Sequence, residues 1–162
     1  MGLDITALRR VELSPAGDDA DPDAMYEQGY EFAYVGSGDF ADRADGLVTG
    51  YYKGTERLDF RAGSYHGYND WRAWLCRTML EVEPVEVWGN PDAFDDKPFF
   101  ELIHFADNEG IIGPETSKRL AQAFDVGDAK ARATGDTDYY GLYRRFQQAF
   151  ELAADGGLVE FH

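Results

Sequence analysis

Residues 60–72, Phe-Arg-Ala-Gly-Ser-Tyr-His-Gly-Tyr-Asn-Asp-Trp-Arg, gather more groups with ligand chemistry than any other stretch of this sequence. Glycines at 63 and 67 let the backbone approach a bound molecule closely. The hydroxyls of Ser64, Tyr65 and Tyr68 supply hydrogen bonds, and tyrosine rings stack on bases. Arg61 and Arg72, with Arg57 just upstream, carry the planar fork that grips a phosphate at two points. A helix start here presents free backbone N–H groups to an anion. Residues 46–80 also reverse the local charge, with five basic side chains (Lys53, Arg57, Arg61, Arg72, Arg77) against three acidic ones (Glu56, Asp59, Asp70). The expected ligand-binding set is therefore Arg57, Arg61, Ser64, Tyr65, His66, Tyr68, Asn69 and Arg72. The segment is not a Walker A loop, because the Gly-Lys-Ser/Thr ending is absent.

Other chemistry is thinly represented. Glu101 and His104 stand at i and i+3, the spacing of carboxylate metal sites in helical bundles, but the sequence holds no second Glu-x-x-His. No metal and no cofactor is expected. Asp107, Asn108 and Gly110 read as a turn capping the helix that follows. Ser64 with His66 or His104 lacks the Gly-x-Ser-x-Gly elbow of a hydrolase. Cys76 sits at helical spacing among Trp74, Leu75 and Met79, which predicts a buried, inert thiol. No catalytic residue is assigned.

Composition narrows the classes. At 162 residues and 44% hydrophobic, residues 1–162 can form one domain with a real core. The 15% aromatic content argues against disorder. A single cysteine excludes a disulfide framework and fits a reducing cytoplasm. Residues 1–12 hold no apolar run of signal length, and no stretch approaches a membrane span. The net charge of −16 repels nucleic acid and anionic membrane and attracts basic surfaces. Residues 12–45 hold ten acids and one arginine, and residues 81–109 hold nine acids and one lysine.

The elements that position these residues follow from pattern. Residues 3–13 read as an opening strand, 14–24 as an acidic loop, and 26–35 as an aromatic strand. After a loop at 36–46, residues 47–60 read as a hairpin turning near Lys53-Gly54-Thr55. A first helix starts with Asn69 as N-cap and carries Trp71, Trp74, Leu75 and Met79 on one face. Residues 81–97 read mainly as loop, and 99–106 as a strand or two helical turns. Gly113-Pro114-Glu115 opens a second helix, with 125–135 as linker or frayed end. Residues 136–155 give the strongest helical pattern, stopped by Gly156-Gly157 before a closing strand at 158–161. Strands first and helices later predict an α+β fold, with mainly antiparallel strands and about three helices in the C-terminal two-thirds.

Met1 to Ala7, Phe60 to Tyr65, Gly67-Tyr68-Asn69, Glu101 to Pro114 and Ala149 to Gly157 together resemble a family of small phage and prophage proteins. Asn is usual in that family where this chain has His104, and the acidic inserts at 14–24 and 86–97 fall outside the similarity. The resemblance implies a common fold and a phage setting, inside the bacterial host cytoplasm. Accessory phage proteins often act against host immunity, and two physical modes suit this composition. One is a non-catalytic sponge that sequesters a small nucleotide-type immune signal, with a second copy in a homo-oligomer completing the pocket. The other is an acidic decoy that occupies a basic surface of a host defence protein. A hydrolase of the signal, using His66, stands as a further alternative.

Overall fold

The computed structural model describes residues 2–36, 38–104 and 110–162, with backbone alone at 38–40. Two antiparallel sheets and six α-helices make an α+β architecture. The larger sheet has the order β5-β1-β7-β6, from β1 (Gly2–Arg9), β5 (Glu56–Ser64), β6 (Gly110–Ile112) and β7 (Leu158–Phe161). The smaller has the order β2-β4-β3, from β2 (Glu12–Leu13), β3 (Glu31–Ala33) and β4 (Gly50–Lys53).

Alternation along β1 explains the layers. Leu3, Ile5 and Ala7 face the main core with Phe60, Ala62, Val159 and Phe161. The helices α2 (Tyr65–Leu80), α5 (Pro114–Ala133) and α6 (Thr137–Ala153) supply Trp71, Leu75, Phe124, Phe146 and Phe150 to that core. On the opposite face, Leu8, Ile111 and Leu158 pack against Ala33 and Tyr52 of the smaller sheet. Among the described residues no helix is long and apolar enough to cross a membrane.

The expected hairpin at 47–60 is not a hairpin. β5 pairs with β1, whereas β4 pairs with β2 and β3. Segments 2–13 and 50–64 are two arms of one long ribbon that bends between the sheets. The bend falls at Arg10, which has φ 47, and at Gly54, where a Cβ would stand 2.9 Å from the Arg9 carbonyl oxygen. Residues 26–35 likewise split: α1 (Pro22–Glu27) takes the first part, capped by Asp21, and β3 takes the second.

The three expected helices are present, with shifted limits. α5 runs through the expected linker to Ala133 because Phe124, Gly127 and Ala131 are buried against α6. Its N-terminus is capped from a distance, Asp45 accepting from Thr116 N at 2.8 Å and Thr116 Oγ1 at 3.1 Å. The 81–97 region contains α3 (Pro84–Gly89), closed by a Glu83–Glu86 capping box. Residues 99–106 contain α4 (Phe100–His104), and the turn expected from Asp107 and Asn108 lies outside the described residues.

Candidate functional site

Three of the eight expected ligand residues serve the start of α2. Ser64, not Asn69, is the N-cap, its Oγ accepting from Gly67 N at 3.0 Å. Gly63, at φ 117, occupies backbone space that only glycine takes easily, where the register of β1 and β5 shifts. Tyr65 packs against the main core, and Asn69 accepts from Arg72 Nη2 at 2.7 Å. The helix therefore begins five residues earlier than the pattern suggested, and the expected loop is mostly helix.

Tyr68 and Arg72 are core residues, 4% and 3% exposed. The Arg72 guanidinium donates to the Ile103 carbonyl at 3.2 Å, and Trp88 Nε1 donates to the same oxygen at 3.1 Å. Its carbon lies 5.4 Å from the Tyr68 ring centroid and 5.6 Å from that of Trp88. Carbonyls at a helix C-terminus suit a cation, which is how α4 accommodates this charge. Burial lowers the Arg72 pKa and raises that of Tyr68. These side chains hold α2 to α4; they do not face an open ligand site. His66 is the opposite case, 89% exposed in its side chain and 3.4 Å from Asp70.

Arg57 and Arg61 sit elsewhere, on the sheet face turned away from the helices. Three strands there align Arg61–Asp4–His162 beside Asp59–Thr6–Glu160. Thr6 Oγ1 donates to Asp59 Oδ1 at 2.8 Å and lies 3.0 Å from His162 Nε2. Arg57 bonds Glu31 and, at 2.6 Å, Asp59. Burial pushes the Asp59 carboxyl up, but hydrogen bonds from Arg57 and Thr6 outweigh it and leave the pKa lowered. Burial and nearby Glu31 push Glu160 the other way, up to about 8, against a smaller opposing pull from Arg57. Both arginines are thus engaged with carboxylates. The structure brings these two together, and separates them from Tyr68 and Arg72.

The residues considered for metal and nucleophile chemistry have partners within the fold. Glu101 bonds Arg119 at 3.0 Å, while Arg43 donates to Nδ1 of His104 at 2.8 Å. No cluster of three potential metal ligands exists among the described residues. The Cys76 thiol is fully buried, donates to the Val82 carbonyl, and is pushed by burial to about 11.

A cavity with the dimensions of a ligand site lies on α5, where sequence reasoning placed a linker, and a smaller one of about 340 Å3 lies beside Arg57 and Arg61. The α5 cavity measures about 620 Å3, within the ~300–1,000 Å3 typical of small-molecule pockets. Met79, Pro98, Phe99, Ala123, Val126 and Gly127 give it an apolar lining, and Lys97, Arg119 and Lys130 stand around it together with Asp95, Asp96 and Glu101. Gly127 makes the close approach possible, since a Cβ there would lie 2.8 Å from Tyr143 Oη and 3.0 Å from Met79 Sδ. Phe99 has φ 65, costly for a bulky residue; its ring is buried 4.9 Å from Phe124 while residues 95–98 stand as the outer wall. Each cation has an acidic partner: Lys97 with Asp96, Arg119 with Glu101, Lys130 with Glu81.

No protein-family model matches the chain, and neither a curated protein nor a solved structure matches it significantly.

Proposed function

We propose that this is a non-catalytic binding protein that captures a small nucleotide-type ligand in the α5 groove. The observation that carries the reading is the combination of an apolar lining with three basic side chains around a cavity of about 620 Å3. A nucleotide offers the matching halves, a planar base for the lining and phosphates for Arg119, Lys97 and Lys130. The three cations are about half exposed, and exposed ion pairs are worth only ~0–1 kcal/mol. Exchange of a carboxylate for a phosphate is therefore inexpensive. In the phage setting that the sequence resemblance implies, capture of a host immune signal is the corresponding role. A sponge of this kind needs nanomolar affinity, about −12 kcal/mol.

A thermal-shift panel of cyclic dinucleotides, cyclic trinucleotides and cyclic ADP-ribose isomers tests the proposal. One class is expected to raise Tm, to be recovered chemically intact by chromatography, and to lose its effect in Ala123→Trp. Absence of any shift contradicts the reading. So does a shift that survives Ala123→Trp but vanishes in Arg61→Ala, which places the ligand on the sheet face. Recovery of an altered nucleotide makes the protein an enzyme.

A further inference from the structure

The smaller sheet carries a second surface, independent of the groove. Its inner side holds Ala33 and Tyr52 against the larger sheet. Its outer side packs aromatic rings edge to face: Tyr51, 4% exposed, meets Phe32 at 5.1 Å and Tyr26 at 6.2 Å. Tyr26 is 50% exposed and Tyr34, directly after β3, is 44% exposed. α1 covers part of this side through Tyr26, and Tyr26 and Tyr34 still present apolar area to solvent. Tyrosine in that position is the residue type that anchors protein interfaces.

The surrounding charge says what covers it. Seven carboxylates lie between residues 12 and 31, and no lysine or arginine occurs from 12 to 42. Glu12, Asp18, Asp19, Asp21, Asp23 and Glu27 are all exposed. Lys53, on this side, is held by the Gln28 carbonyl at 2.9 Å and lies over the Tyr30 ring. Arginine complements both halves of the surface at once, pairing with carboxylates and stacking on tyrosine faces. We infer that the outer face of the β2-β4-β3 sheet, with the acidic segment before it, docks an arginine- and lysine-rich surface of a protein partner. Tyr26 and Tyr34 anchor the contact, and the carboxylates steer and orient it.

The test is fluorescence anisotropy of a labelled oligoarginine peptide with the full chain at about 0.15 M salt, where long-range attraction is screened. Binding is expected. Tyr26→Ala/Tyr34→Ala keeps the net charge and is expected to weaken binding about tenfold; Tyr34→Ala alone, which leaves the Tyr26–Tyr51 contact in place, gives an intermediate loss. Asp18→Asn/Asp19→Asn/Asp23→Asn is expected to lose at least as much, whereas Asp92→Asn/Asp138→Asn/Glu151→Gln, equal in charge change, stays within about twofold of the parent. Three results overturn the inference: no binding by the parent, parent-like binding by both tyrosine variants, or equal losses from the two acid variants. Ala123→Trp is expected to leave peptide binding unchanged, which separates this face from the groove.

Discussion

Residues 57–72 and the α5 groove teach opposite lessons about reading chemistry from sequence. The first is dense with arginine, tyrosine, serine and histidine, and the fold consumes most of it. Ser64 caps a helix, Arg72 and Tyr68 join α2 to α4, and Arg57 ties Asp59 to Glu31. The second contains Ala123, Val126 and Gly127, residues without any chemical signature, and yet it is the larger open cavity. Polar groups packed tightly in sequence are those the chain itself can pair. A ligand site forms where packing leaves a gap, and a gap is a property of several elements at once.

The sharpest way to break this contrast is Arg72→Ala. Loss of the guanidinium leaves the Asn69 side chain without its donor and opens a cavity among Tyr68, Trp88 and Ile103. The expected cost is about 3–4 kcal/mol, or roughly 6–16 °C in Tm, with nucleotide affinity of the folded protein within twofold. A variant that keeps its Tm but loses the ligand would return the site to residues 57–72.

The sheet face beside Arg57 makes a pH prediction of similar size. The Glu160 carboxyl is raised in the folded state to about 8, from an ordinary value of 4.5. A raised carboxyl favours the protonated folded form, so its contribution is complete below pH 4.5 and is lost as pH rises toward 8. Full conversion corresponds to at most about 4–5 kcal/mol. Denaturant titrations of the parent should show stability falling across this window, and Glu160→Gln should flatten the fall. An unchanged slope in the variant would assign the pH dependence to other groups.

Groove variants should behave in the reverse sense to Arg72→Ala. Arg119→Ala is expected to weaken nucleotide binding about tenfold in isothermal titration while costing about 1 kcal/mol, since it breaks a half-exposed pair with Glu101 and a bond to Thr116 Oγ1. Loss of stability with affinity unchanged would mean that the groove is structural too. Ser64→Ala is a smaller effect: removal of the cap costs about 1 kcal/mol, read as ~2–4 °C in Tm. His66→Ala should be the smallest, within ~0.5 kcal/mol and without effect on binding, because its ring is exposed and pairs with Asp70, itself at the surface.

Much of the fold was legible where one local signal matched one element. The apolar spacing of α6, the Gly113-Pro114 start of α5 and the closing strand β7 all stand where pattern placed them. The failures share a cause, which is tertiary contact. The continuation of α5 past residue 125 depends on Tyr143 Oη donating to the Phe124 carbonyl at 2.6 Å and on Asp128 holding Tyr140. The bend that turns an apparent hairpin into a two-sheet ribbon depends on Gly54 lying against Arg9. At the candidate site, Arg57 and Arg61 share one sheet face, but the groups that engage them, Glu31 and Asp59 for Arg57 and Asp4 for Arg61, are brought there by the fold. The groove was invisible because its lining spans residues 79–130 and includes a left-handed Phe99.

The most direct test of the central claim is hydrogen exchange with and without the nucleotide that gives the largest thermal shift. The account predicts slowed exchange in residues 95–101 and 119–130, with residues 60–72 unchanged. Protection confined to 60–72 would contradict it and restore the arginine- and tyrosine-rich segment as the binding site.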